Sequence, residues 1–323
     1  MSKYQERERK KAVGLVRNSD LFERCRGGGK FLKKNRPFVL SNGNYNLFKQ
    51  TRTRAITYFK ENKISWWRGG ENPTGHTLSS QIACLNHLFA IRDNEKEVLK
   101  IAQIICPDIV EVLKIETDDF SPAYISFEVV GDNDYLNECK EEQKLTRGSL
   151  FTSVDALIYA KDEKGKKYIF PIEWKYTEYY NNQNKATEGL KNDPIKNKGE
   201  TRKKRYTDLI NSSNQLKSKN HFCYYFEPFY QLMRQTLWAE QMIRYSEKIS
   251  ADDFIHVHVI PQENSDLLKK KYICSGQYME ITWRECLQDQ SKYKIISPQD
   301  LLADIDNAEL KNYLSKRYWN TRN

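Results

Sequence analysis

One stretch constrains this chain more than any other. Residues 154–160 (VDALIYA) and 167–176 (KYIFPIEWKY) are apolar runs rich in β-branched and aromatic residues, joined by the polar segment 162–166. Such runs read as two strands. Gly165 supplies the positive φ that a tight hairpin needs. Both runs are apolar at odd and even positions, which marks central strands covered on both faces.

Charges sit inside these runs. Alternation along a strand puts Glu173 and Lys175 on one face. If the hairpin folds symmetrically about Lys164, Asp155 stands directly across from Glu173, with Cβ atoms about 5 Å apart. Burying two carboxylates and an ammonium costs several kcal/mol without compensation. Two close carboxylates also repel, and one takes up a proton unless a cation bridges them. A divalent metal with oxygen ligands resolves this, and Mg²⁺ uses one or two carboxylates with water and phosphate. Such a metal polarises a phosphoryl oxygen and lowers the pKa of bound water. Lys175 could then stabilise or help deprotonate attacking water, or neutralise phosphate charge. The set suffices to hydrolyse a phosphodiester. The plainer alternative is a partly buried salt bridge. Acid-x-Lys occurs seven times in the chain, but only at Glu173 inside an apolar strand with an acid at the matching position of the preceding strand.

The remaining patterns predict helices over 50–62, after Thr77, and over 95–105, with a further helical turn or two at 108–115. A strand is expected at 124–130. Pro228 opens a strong helix to about residue 248, since Pro suits a first turn. A strand at 254–260 follows, then a helix at 282–288, a strand at 293–296 and helices at 298–305 and 308–318.

This arrangement and its motif resemble a known superfamily. The order helix, three strands, helix, strand, with Ser153-Val154-Asp155 on the second strand and Pro171-Ile172-Glu173-Trp174-Lys175 on the third, is similar to the PD-(D/E)XK nucleases. Val154 replaces the usual proline before the aspartate. The likeness spans residues 76–262, and segments 75–81 and 230–235 extend it to a bacterial restriction-type subgroup. The resemblance implies an α/β fold: a restriction-endonuclease-like core with a central mixed β-sheet flanked by helices, a basic extension at 1–75, a basic insertion at 181–220 and a C-terminal extension at 263–323. It implies Asp155, Glu173 and Lys175 as catalytic residues. Asp155, Glu173 and the backbone carbonyl of Trp174 would hold Mg²⁺, with Mn²⁺ able to substitute. Glu128, mid-strand in 127–129, is the candidate for the extra acid many members carry. Gln81 on the first helix, and Gln231 and Gln235 one turn apart on the long helix, would support the site or the substrate.

The chain carries 53 Lys+Arg against 43 Asp+Glu, a net charge of +10, which fits a polyanionic partner. Residues 1–36 are strongly basic and read as a phosphate-contacting arm or, slightly favoured, a solvated tail. The stretch 181–220 has Arg202-Lys203-Lys204-Arg205 at its centre. With Tyr179, Tyr180 and Tyr206 it suits phosphate and base-stacking contacts. His256 and His258 share a strand face but lack a third ligand, so they read as structural. Seven widely spaced cysteines without C-x-x-C argue for reduced thiols in a cytoplasm rather than zinc or disulfides. No apolar run nears the roughly 20 residues of a membrane span. The expected function is a metal-dependent DNA nuclease of restriction or phage-defence type, with RNA left open as substrate. The alternative is a non-catalytic nucleic-acid-binding protein on the same scaffold. Double-strand cutting needs two sites, which points to a homodimer.

Overall fold

The hairpin at 154–176 forms the centre of the sheet in the computed structural model, which describes residues 2–117, 120–139, 151–189, 197–220 and 223–319. In chain order, α1 (Lys3–Asn18) leads into a small ribbon of β1 (Lys30–Phe31) and β2 (Lys34–Asn35), then α2 (Arg52–Glu61), α3 (Ser80–Leu88) and α4 (Glu95–Ile105). Strands β3 (Ile109–Leu113), β4 (Ile115–Thr117), β5 (Phe120–Ala123), β6 (Ile125–Val129), β7 (Val154–Asp162) and β8 (Lys167–Trp174) follow. Next come α5 (Lys198–Asn211), α6 (Phe229–Tyr245), β9 (Asp253–Phe254), β10 (His256–Val259), α7 (Ser265–Leu268) and α8 (Met279–Cys286). The chain closes with β11 (Tyr293–Ile296), α9 (Pro298–Leu301) and α10 (Ala308–Leu314).

Among the described residues the main sheet has seven strands in the order β11–β10–β8–β7–β3, with β6 also on β7 and β9 also on β8. It is mixed: β7 and β8 are antiparallel, whereas β10 runs parallel to both β8 and β11. Helices cover both faces, as the resemblance implies. The β7–β8 ladder runs from Ala156 opposite Ile172 to Lys161 opposite Lys167. Continued by one step, that register sets Asp155 across from Glu173, as the sequence predicts. Gly165 takes its φ of 84° in the turn. Ala156, Ile158, Phe170 and Ile172 point into one core with α2, α3 and α4. Leu157, Tyr159 and Ile169 point into the other with α6 and α8.

Three expectations fail here. Residues 108–115 are not helical; β3 pairs with the far half of β7, Val112 lying opposite Ala160. Its apolar residues serve an open ladder edge, a tertiary demand that a local pattern does not reveal. The N-terminal segment is not a solvated tail. Tyr4, Glu8 and Ala12 bury one stripe of α1, a helical spacing hidden among charges. The Tyr4 amide donates to Asp266 at 2.8 Å, Lys11 reaches the Tyr318 carbonyl at 2.9 Å, and the Tyr176 hydroxyl donates to Glu8 at 2.9 Å. Tyr206 is buried and its hydroxyl donates to Glu138 at 2.6 Å, so it offers no stacking face.

None of the seven cysteines is paired in a disulfide in this structure. Among the described residues no helix is long and apolar enough to cross a membrane.

Candidate active site

Three neighbouring strands each bring one acid to the same step of the sheet. Phe127 lies opposite Ala156 and Val129 opposite Val154, pairs that bracket Glu128 on β6 and Asp155 on β7, and one step beyond the Ala156–Ile172 pair Asp155 comes level with Glu173 on β8. Glu128 has a φ of 49°, a left-handed conformation in mid-strand. A non-glycine residue there costs on the order of 1–3 kcal/mol and is retained where the surroundings enforce it. Here the surroundings are Gln81 from α3, whose Nε2 donates to Glu128 Oε1 at 2.7 Å, and the Ser153 hydroxyl, 3.3 Å from Oε2.

Glu173 and Lys175 form an ion pair of 2.5 Å. Lys175 also donates to Gln231 Oε1 at 2.5 Å and lies 5.9 Å from the centre of the Tyr180 ring. Gln235, one turn further along α6, donates from Nε2 to Glu173 Oε2 and to the Ser153 carbonyl. Its Oε1 can only accept, so His256 Nε2, 3.0 Å away, carries the proton. Asp155 is held by the backbone: the Trp174 amide donates to its Oδ2 at 2.6 Å. The Trp174 indole is buried against His87.

The electrostatics follow from burial and proximity. Burial, then the charges of Glu173 and Glu128, push Asp155 well above the usual carboxylate range, against the pull of Lys175 and the Trp174 amide. Burial likewise raises Glu128 to about 7, with Glu173 adding to it and the hydrogen bonds from Gln81 and Ser153 opposing it. Burial acts to lower the Lys175 pKa, but Glu173 leads the opposing interactions that hold it well above the ordinary lysine value. Burial lowers His256 to about 4, so its ring is neutral.

The acids supply hard oxygen donors, and their mutual repulsion is the tension that a divalent cation relieves. Among the described residues no three His, Cys, Asp or Glu side chains are already gathered around one point that could hold a metal ion. Each carboxylate is instead turned to a protein partner: Glu128 to Gln81, Asp155 to Trp174, Glu173 to Lys175 and Gln235. The donor chemistry therefore fits a metal, and binding one would exchange these hydrogen bonds for metal–oxygen bonds.

The structure thus draws Asp155, Glu173, Lys175, Glu128, Gln81, Gln231 and Gln235 into one network. Ser153 and His256, which the sequence reading gave no part in the site, join it because only the fold brings them to Glu128 and Gln235. The basic run of α5 lies outside this network. Arg202 pairs with Glu188 at 3.0 Å, Lys203 pairs with Glu200 at 2.8 Å, and Arg205 lies 3.5 Å from the Glu138 carbonyl. Lys204 is exposed. Residues 190–196 of the expected insertion 181–220 lie outside the described residues.

A mixed sheet flanked by helices, with acids and a lysine converging on its central strands, defines an α/β protein with a restriction-endonuclease-like core. The chain belongs to the family described as restriction endonuclease associating with ARP, whose model matches residues 7–319. No curated protein and no solved structure matches it. The family carries a nuclease-type role, with DNA as the substrate its description points to.

Proposed function

We propose that this protein is a metal-dependent DNA nuclease of the PD-(D/E)XK type, an endonuclease of restriction or phage-defence function working in the cytoplasm. The observation that carries the reading is the register of Glu128, Asp155 and Glu173 across β6, β7 and β8, with Lys175 beside them. Asp155, Glu173, Glu128 and the Trp174 carbonyl would hold Mg²⁺, or Mn²⁺ in its place. When bound, the cation polarises the phosphodiester and lowers the pKa of its water.

The remaining work belongs to the chain. Lys175 is held charged in the resting site by its ion pair with Glu173, and its ammonium serves to stabilise negative charge developing on the phosphate. Gln231 holds that ammonium alongside Glu173. Gln235 fixes the Glu173 carboxylate, and Gln81 holds Glu128 in place. Cutting both strands at once takes two such sites, so a homodimer belongs to the same proposal. The association with ARP that the family's description names extends to this chain as part of the same proposal.

The test is incubation with plasmid, linear and single-stranded DNA in Mg²⁺, Mn²⁺ or EDTA, beside a Glu173→Ala/Lys175→Ala double variant. Cutting that needs metal and is lost in the variant is expected. The self-satisfied resting site keeps one rival reading in play, a DNA-binding protein that does not cut. Binding indifferent to EDTA, with every substrate left intact, would establish that rival instead.

A further inference from the structure

The β1–β2 ribbon carries features that catalysis does not use. Its two-residue turn places Leu32 and Lys33 at φ of 50° and 62°. Both values belong to the turn that asparagine and glycine favour, and a leucine there is strained. Leu32 is nonetheless 59% exposed at the tip. Lys30, Lys33 and Lys34 are exposed around it, and none forms an ion pair among the described residues.

The base of the ribbon is tied to the acid cluster. Phe31 stacks on Trp67, with centroids 5.7 Å apart and planes 18° from parallel. The Trp67 amide donates to Gln81 Oε1 at 3.0 Å, and Gln81 in turn holds Glu128 at 2.7 Å. An exposed apolar tip among lysines is therefore anchored, through Phe31, Trp67 and Gln81, to the acids that would face a scissile phosphate.

We propose that this ribbon is a contact for duplex DNA, an inference that takes its ligand from the nuclease reading above. A two-stranded ribbon fits a DNA groove, where an apolar tip can press against or between base pairs. Leu32 is that tip. Lys30, Lys33 and Lys34 lie on the flanking phosphates and fix the register of the duplex over Glu128, Asp155 and Glu173. Charge complementarity favours the duplex backbone as occupant, and the bare leucine favours a groove over a simple phosphate surface.

The test is the affinity of the full-length protein for a short labelled duplex, titrated with salt in EDTA. Replacing the lysines (K30A/K33A/K34A) should flatten the slope of log K against log salt by about 0.9 for each phosphate no longer neutralised. Leu32→Gly should weaken binding roughly tenfold with the slope unchanged, since only apolar surface is removed. Glycine suits the φ at position 32, so this variant should fold at least as well, as its melting temperature will report. Wild-type affinity and slope in both variants would overturn the ribbon, as would ribbon-dependent binding to RNA duplex alone or no duplex binding by the parent. Metal-dependent cutting by a parent whose ribbon variants bind normally sinks the ribbon and leaves the nuclease standing. Ribbon-dependent binding without cutting does the reverse.

Discussion

Lys175 Nζ lies 2.5 Å from Glu173 Oε1, both groups buried at the end of β8. This ion pair sets the resting state of the site: the ammonium offsets part of the charge of three acids that share one step of the sheet. The same pairing makes each residue costly to remove alone.

Lys175→Met should leave Glu173 without its cation and destabilise the fold by about 3–5 kcal/mol in urea titrations near neutral pH. Adding Glu173→Gln should recover most of that loss, because the unpaired charge disappears with it. Cleavage should stay down by at least about 10²-fold in both variants. Stability losses that simply add would show that the pair is not coupled as the geometry indicates.

Mg²⁺ without DNA should raise the melting temperature, since a ligand that binds only the folded state stabilises it by mass action, about 2.7 kcal/mol at 100 times its Kd. Asp155→Asn should remove the response. An equal rise in both proteins would place the metal elsewhere.

Gln235→Leu should break the bond to Glu173 and strip His256 of its acceptor. A stability loss of about 1–3 kcal/mol is expected from the unsatisfied buried groups. Because Gln235 competes with a cation for Glu173 Oε2, less Mg²⁺ should be needed for half-maximal cutting. A merely structural glutamine would lower stability and leave the metal titration where it was.

His87 gives the fold a pH dependence. The Trp319 indole N–H can only donate, so His87 Nε2 accepts at 3.2 Å and Nδ1 donates to the Ala83 carbonyl at 2.7 Å. Burial lowers its pKa from 6.5 to about 3. A histidine whose folded value is depressed contributes stability above its unfolded pKa and loses it as pH falls toward the folded one. The stability gap between the parent and His87→Phe should therefore be full above about pH 6.5 and shrink on acidification to about pH 4. A gap independent of pH would show that His87 is not held neutral.

Much of this site can be read from residue order. The hairpin, its register and the placement of Asp155, Glu173 and Lys175 follow from period-two patterning around one turn. Glu128 is visible as an acid within a strand, but its left-handed backbone is not, because that conformation is imposed by Gln81, Ser153 and the flanking ladder. Gln231 and Gln235 are visible as neighbours on a helix face, yet their targets depend on how α6 crosses the sheet. Strand β3 and the buried stripe of α1 escape a local reading for one shared cause: both segments are shaped by what they pack against.

The sequence by itself determined the two central strands, their turn and the chemical character of the residues within them, because those depend on local periodicity and short-range sterics. The tertiary structure alone decided which groups share a hydrogen bond. It turned Glu128 toward Gln81, closed Lys175 between Glu173 and Gln231, seated α1 against Tyr176, and tied the β1–β2 ribbon to the acids through Trp67. Those interactions join residues far apart in the chain, and their energies arise only when packing excludes water and forces each buried polar group to find a partner.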